Sequence, residues 1–158
     1  MPFYIFVVIV LAGVDQVLKF QVRELMSPTS YIEIIPNFIH LMHQENRGIS
    51  FSLLSDLPTV LRVPLLAGIS IIVVIGICYY VYRNWEPMVT AEKWGFALII
   101  AGAIGNLIDR AIRQQVTDYM YFHFYDTGFF VNNFADDLIS IGFVLILFVS
   151  FKKKNEET

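Results

Sequence analysis

Four stretches of this chain, residues 3–14, 63–82, 94–108 and 138–151, contain no charged side chain. A helix needs ~20 apolar residues to cross the ~30 Å hydrocarbon layer of a bilayer. Only 63–82 reaches that length unaided. The other three span only if polar neighbours are drawn in. The first extends through "DQVLKF", which brings Asp15 and Lys19 with it. The third extends through "DRAIR", with Asp109 and Arg110, and the fourth extends backwards through "NNFADD", with Asn133, Asp136 and Asp137. The expectation is a membrane α-helical fold with four transmembrane helices, each of the three short ones carrying charge at one end.

Composition supports this and closes other routes. The chain is 56% hydrophobic and only 16% charged, with a mean hydropathy of +0.61, well outside the range of soluble domains. It is too apolar for disorder, except in the tail "KKKNEET". The expected organisation is one integral membrane domain, residues 1–151, followed by a charged cytoplasmic tail, residues 152–158. A net charge of −3 without a basic stripe argues against nucleic acid. Cys78 is the only cysteine, so neither an internal disulfide nor a thiol metal cluster is available.

Lysines 152, 153 and 154 follow the last apolar run, and Arg83 and Lys93 flank the loop between the second and third. The positive-inside rule puts both regions, and with four crossings the N-terminus, in the cytoplasm. The N-terminal run lacks a basic leader region and continues into Asp15, so it reads as a span rather than a cleaved signal peptide. All the intramembrane charges then fall near the outer interface, where ionisable groups point to function. The bland alternative is interfacial snorkelling with a structural ion pair, for example Asp15 with Arg110.

The loops at residues 21–62 and 113–132 are rich in Ile, Phe and Tyr. The first alternates loosely and is expected to form a small β-platform, with a turn at "ENRG" where Gly48 permits positive φ. The second is expected to lie in the headgroup region. Pro58 and Pro64 bracket the start of the second span. There is no HExxH and no G-x-S-x-G nucleophile motif. His40 and His43 would point to opposite faces of a strand, and His123 sits among aromatics, so no metal is expected. The remaining material, carboxylates beside asparagines in a half-dry layer, suits an aspartic dyad. One Asp takes a proton from water while the other, still protonated, polarises a carbonyl.

The blocks "DQVLK", "ENRGISFSLL", "AGAIGNLIDR", "VTDYM" and "NNFADD" resemble, in order and spacing, those of lipoprotein signal peptidase (signal peptidase II), the bacterial intramembrane aspartic protease family. The resemblance implies that Asp118, in "VTDY", and Asp136, in "NFAD", are the catalytic acids. Asn133 is the Asn of the second block, and Asn46 and Gly48 match the family's Asn-x-Gly. Asp15, Lys19, Asn106, Asp109 and Arg110 match its supporting polar residues. It also implies the substrate, a membrane-inserted prolipoprotein whose lipobox Cys carries diacylglycerol, cleaved before that Cys. Further expectations are inhibition by globomycin, no cofactor, contact with membrane lipid, a monomer, and a place in the bacterial inner membrane. The chain departs from the usual pattern at Glu45, Ile49, Ser50, Thr117, Asn132 and Asp137.

The rival readings are a presenilin-like protease and a non-proteolytic carrier or assembly factor. The first lacks its Gly-x-Gly-Asp, and the second would keep its acids near mid-membrane. Within "ADD", Asn133 and Asp136 share a helix face while Asp137 is rotated by ~100°. The working role is therefore expected of Asp136. Its face should continue through Ser140 and Phe143, with Gly142 allowing close helix approach.

Overall fold

The computed structural model describes residues 1–48 and 58–156. Four helices account for the apolar runs: α1 (Pro2–Leu25), α2 (Thr59–Asn84), α3 (Thr90–Arg113) and α4 (Phe134–Glu156). They contain 23 to 26 residues each, about 35–39 Å at ~1.5 Å per residue, and all four are long and apolar enough to cross a membrane. The extensions fall as expected. α1 runs past Asp15 and Lys19, α3 past Asp109 and Arg110, and α4 begins two residues before Asp136. Pro64, by contrast, lies inside α2, whose N-terminal flank is Pro58.

α3 is the centre of the bundle and packs on α1, α2 and α4. Its buried face is Gly95, Ala97, Ala101, Gly102, Gly105, Asn106 and Asp109, small residues that let backbones approach where lipid supplies no hydrophobic drive. A Cβ on Gly102 would collide with the Ala135 carbonyl oxygen, and one on Gly142 would sit 2.5 Å from that of Gly95. The outward faces are apolar and open, as with Phe6, Ile72 and Phe148. At the end of the bundle away from the acids, Lys153 on α4 bonds Glu92 on α3 at 2.8 Å.

Both long loops feed one antiparallel sheet of order β1-β2-β3-β4: β1 (Tyr31–Ile35), β2 (Ile39–Asn46), β3 (Val116–Phe124) and β4 (Thr127–Asn132). The platform thus takes half its strands from the second loop, beyond the first-loop platform expected. At "ENRG" the chain bends at Gly48, whose N–H bonds the Asn46 side chain, but without the positive φ expected there. β2 continues through Asn46, no described glycine has positive φ, and the chain reverses between β1 and β2 at Asn37, φ 59°. Asn tolerates that conformation through its short polar side chain. The sheet sits on the end of α1, where Val22, Met26 and Tyr119 form a small core closed by Leu18, Leu41, Met120 and Phe134.

Candidate active site

The site is built where α3, α4 and the β2–β3 pair meet. α4 starts there because Asn133 caps it. The Asn133 side-chain oxygen accepts the Asp136 N–H at 3.1 Å, and its carbonyl accepts the Asp137 N–H, the pattern that satisfies orphan donors at a helix start. The other end of the same amide, Nδ2, donates to Asp118 Oδ1. Asn46 Nδ2 donates to Asp118 Oδ2 at 3.0 Å, while its own Oδ1 accepts the Gly48 N–H at 2.9 Å. Both oxygens of Asp118 are thereby fixed. Asp136 Oδ1 accepts from Asn106 Nδ2 at 2.8 Å.

Behind this pair stands a buried ionic frame. Lys19, fully buried, donates to Asn106 Oδ1 at 2.9 Å and bridges Asp15 (2.8 Å) and Asp109 (3.1 Å). Asp15 also accepts the backbone N–H of Ala135 at 3.0 Å, tying α1 to the first turn of α4. Three polar groups around one ammonium, each bonded in turn, make a buried charge tolerable. The Asp15–Arg110 ion pair given as an example of the bland alternative is not the pairing found. Lys19 lies one turn from Asp15 on the same helix and takes that place, and Arg23 stands 3.7 Å from Asp109. Arg110 instead lines the cavity that holds the two acids, and Asp136 and then Asp118 are its strongest charged neighbours.

That cavity has a volume of about 980 Å³. Asp118, Asp136, Asn106 and Arg110 form its polar wall, with Ile69 and Val73 of α2 and Phe129 and Phe130 of β4 on the apolar side. Burial raises the pKa of Asp118 to about 6, helped by the neighbouring Asp136 carboxylate. The Asn46 and Asn133 amides and the Lys19 ammonium pull the other way. Ser140, one turn beyond Asp136, lines the cavity as expected, but Phe143 does not. It is exposed on the outer face of α4. Asp137 lies outside the cavity lining and accepts from Asn132 Nδ2 at 2.7 Å.

All ten residues singled out in the sequence gather here: Asp15, Lys19, Asn46, Gly48, Asn106, Asp109, Arg110, Asp118, Asn133 and Asp136. The histidines lie elsewhere. His40 packs against His123 at 4.1 Å between ring centres, and His43 bonds Glu45. Two contributors escaped the sequence reading: Ala135 acts through its backbone, and Tyr119 accepts the Phe134 N–H on its hydroxyl. Thr117, marked in the sequence only as a departure from the usual pattern, is fully buried beside Asp118.

The family described as Signal peptidase (SPase) II matches residues 7–152. The chain is 39% identical over 149 residues to lipoprotein signal peptidases of Brucella ovis and Brucella melitensis, covering 93% of this chain and 88% of theirs. Two solved structures, each described as a bacterial membrane enzyme obtained by the in meso method, are similar throughout. One has a TM-score of 0.86 at 25% identity, covering 100% of this chain and 93% of that one. The other has a TM-score of 0.81 at 26% identity, covering 96% and 94%. The carrier and assembly-factor reading finds no support in these matches. With nearly its whole length matched in sequence and in fold, the chain belongs to the signal peptidase II family.

Proposed function

We propose that Asp118 and Asp136 are the catalytic dyad of this peptidase, which removes the signal peptide from diacylglyceryl-modified prolipoproteins before the lipidated Cys. The observation that carries this is the pair of carboxylates from separate elements, Asp118 on β3 and Asp136 on α4, facing one cavity and each held by asparagine amides. Such a pair shares one proton. The ionised carboxylate takes a proton from water as its oxygen attacks the scissile carbonyl carbon. The protonated one gives its proton to the carbonyl oxygen. The carboxyl that took the water proton then gives it to the leaving nitrogen as the C–N bond breaks, while the other carboxylate takes back the proton on the former carbonyl oxygen, so the dyad again holds one proton. Cradling amides keep both carboxylates still, so little reorganisation is needed at the moment of reaction.

The cavity is lined by residues of the helices and of the sheet, which suits a substrate that enters from lipid and presents its peptide at the interface. The same reading places the protein in the bacterial inner membrane as a monomer, with both termini cytoplasmic and the dyad near the outer face. Globomycin, by filling this cavity, would compete with substrate. The test is cleavage of a diacylated prolipoprotein by the purified protein in detergent. The wild type cleaves and is blocked by globomycin, and Asp118→Asn and Asp136→Asn are folded and inactive. A folded Asp118→Asn or Asp136→Asn that still cleaves overturns the dyad.

A further inference from the structure

The β2–β3 pair has two faces. Gln44, Asn46, Val116 and Asp118 line the cavity. Glu45 and Thr117, directly opposite each other in the register, point the other way, as alternation requires. Behind the sheet they meet a chain of charges. The Thr117 hydroxyl lies 3.3 Å from both Glu45 carboxylate oxygens, to which it donates, and it accepts from Arg23 of α1 at 3.1 Å. Glu45 also bonds His43 at 2.9 Å and stands 3.6 Å from Arg113 of α3. The Thr117 N–H reaches Asp109 of α3 at 3.4 Å.

We propose that Glu45 and Thr117 are positioning residues for the reaction: they clamp the back of the β2–β3 pair to α1 and α3, and so fix where Asn46 and Asp118 stand on the front. The inference rests on the dyad reading above. Its reasoning is geometric. Glu45 is bonded to Asn46 in sequence, and Thr117 to Asp118. Neither side chain reaches the cavity, so they act only through the backbone they hold. β2 through Glu45 and α1 through Arg23 both meet the buried Thr117 hydroxyl of β3, and α3 joins them through Asp109 on the Thr117 N–H and Arg113 beside Glu45, which a strand needing only to pair with its neighbour would not require. A displacement of ~1 Å at a reacting group is enough to cost a large factor in rate. Loosening Asn46 also weakens a hydrogen bond that favours the ionised form of Asp118, whose other neighbours are Asn133, Asp136 and Lys19.

The test is steady-state cleavage by Glu45→Ala, Thr117→Val and Thr117→Ser in detergent, each with a pH–kcat profile and a thermal melt, beside Asp118→Asn. Glu45→Ala and Thr117→Val are expected to lower kcat about tenfold with KM within about twofold. Their profiles should move to higher pH, since Asp118 loses stabilisation of its ionised form. Thr117→Ser, which keeps the hydroxyl, should restore most of the rate. Wild-type kcat and an unmoved profile in folded Glu45→Ala overturn the clamp. So does a Thr117→Ser as slow as Thr117→Val, because the hydroxyl would then not be what matters. An active Asp118→Asn instead removes the dyad reading on which the clamp depends.

Discussion

Asp136 and Asp137 are adjacent, yet their surroundings differ in kind. Asp136 faces the cavity and Asn106, whereas Asp137 lies outside it and bonds Asn132. Both lie in the first turn of α4, where negative charge favours the helix. Only Asp136 lines the cavity together with Asp118, the partner that the proposed dyad requires. Asp137→Asn keeps an oxygen for Asn132 and should retain most of the cleavage activity, measured beside an inactive Asp136→Asn. Loss confined to Asp137→Asn would move the working role one residue along. Asp118 makes a second prediction. Its pKa of about 6 lies above the ordinary carboxylate value of 3.8, so the folded protein holds a proton that the unfolded chain has already lost. The associated stability is present below pH ~4 and is lost as pH rises towards 6, in total about 3 kcal/mol at ~1.4 kcal/mol per unit. The melting temperature in detergent should therefore fall more steeply between pH 4 and 6 in the wild type than in Asp118→Asn. Equal slopes would place Asp118 in a more polar setting than its burial implies.

The contact between α3 and α4 holds the two halves of the site in register. A Cβ on Gly102 would run into the carbonyl of Ala135, one residue from Asp136. A Gly102→Val side chain has nowhere to go but into that backbone, so it should lower stability by about 1–3 kcal/mol and reduce activity with it, read by a thermal melt and a cleavage assay. Undiminished stability would mean that the helices separate freely. The helices were legible in the sequence because length arithmetic left no choice. Residues 94–108 cannot span without Asp109 and Arg110, and α4 cannot start below Asp136. The sheet was only half legible, since alternation marks a strand without naming its partner, and the β2–β3 pairing joins residues some seventy apart. "ENRG" and "IPNF" both offer turn chemistry, and it is Asn37 rather than Gly48 that takes positive φ. The pairing of Asp15 was left open in the sequence for a similar reason. Which cation meets which acid depends on how each helix is rotated about its axis, and the bundle turns Lys19 inward and Arg110 towards the cavity.

Across the whole molecule, every buried ionic contact at the candidate site lies at one end of the bundle. The other end carries Lys153, Glu92 and an aromatic cluster of Tyr4, Trp85 and Trp94. Reporter fusions within residues 84–92 and after Lys154 should read cytoplasm, and fusions within 32–46 should read the outside. The reverse result would turn the dyad to face the cytoplasm. The cap at Asn133 carries a further consequence, one of timing. A ribosome delivers this chain from the N-terminus, so Asp118, Asn46 and Asn106 are in place before α4 exists. Asn133 and Asp136 come with that last helix, and the amide that starts its first turn is the amide that anchors Asp118. Until the fourth helix is threaded and wound, the nascent chain carries only one acid of the proposed dyad. On that reading the peptidase is silent throughout its own insertion, and it becomes competent in the same step that completes its fold.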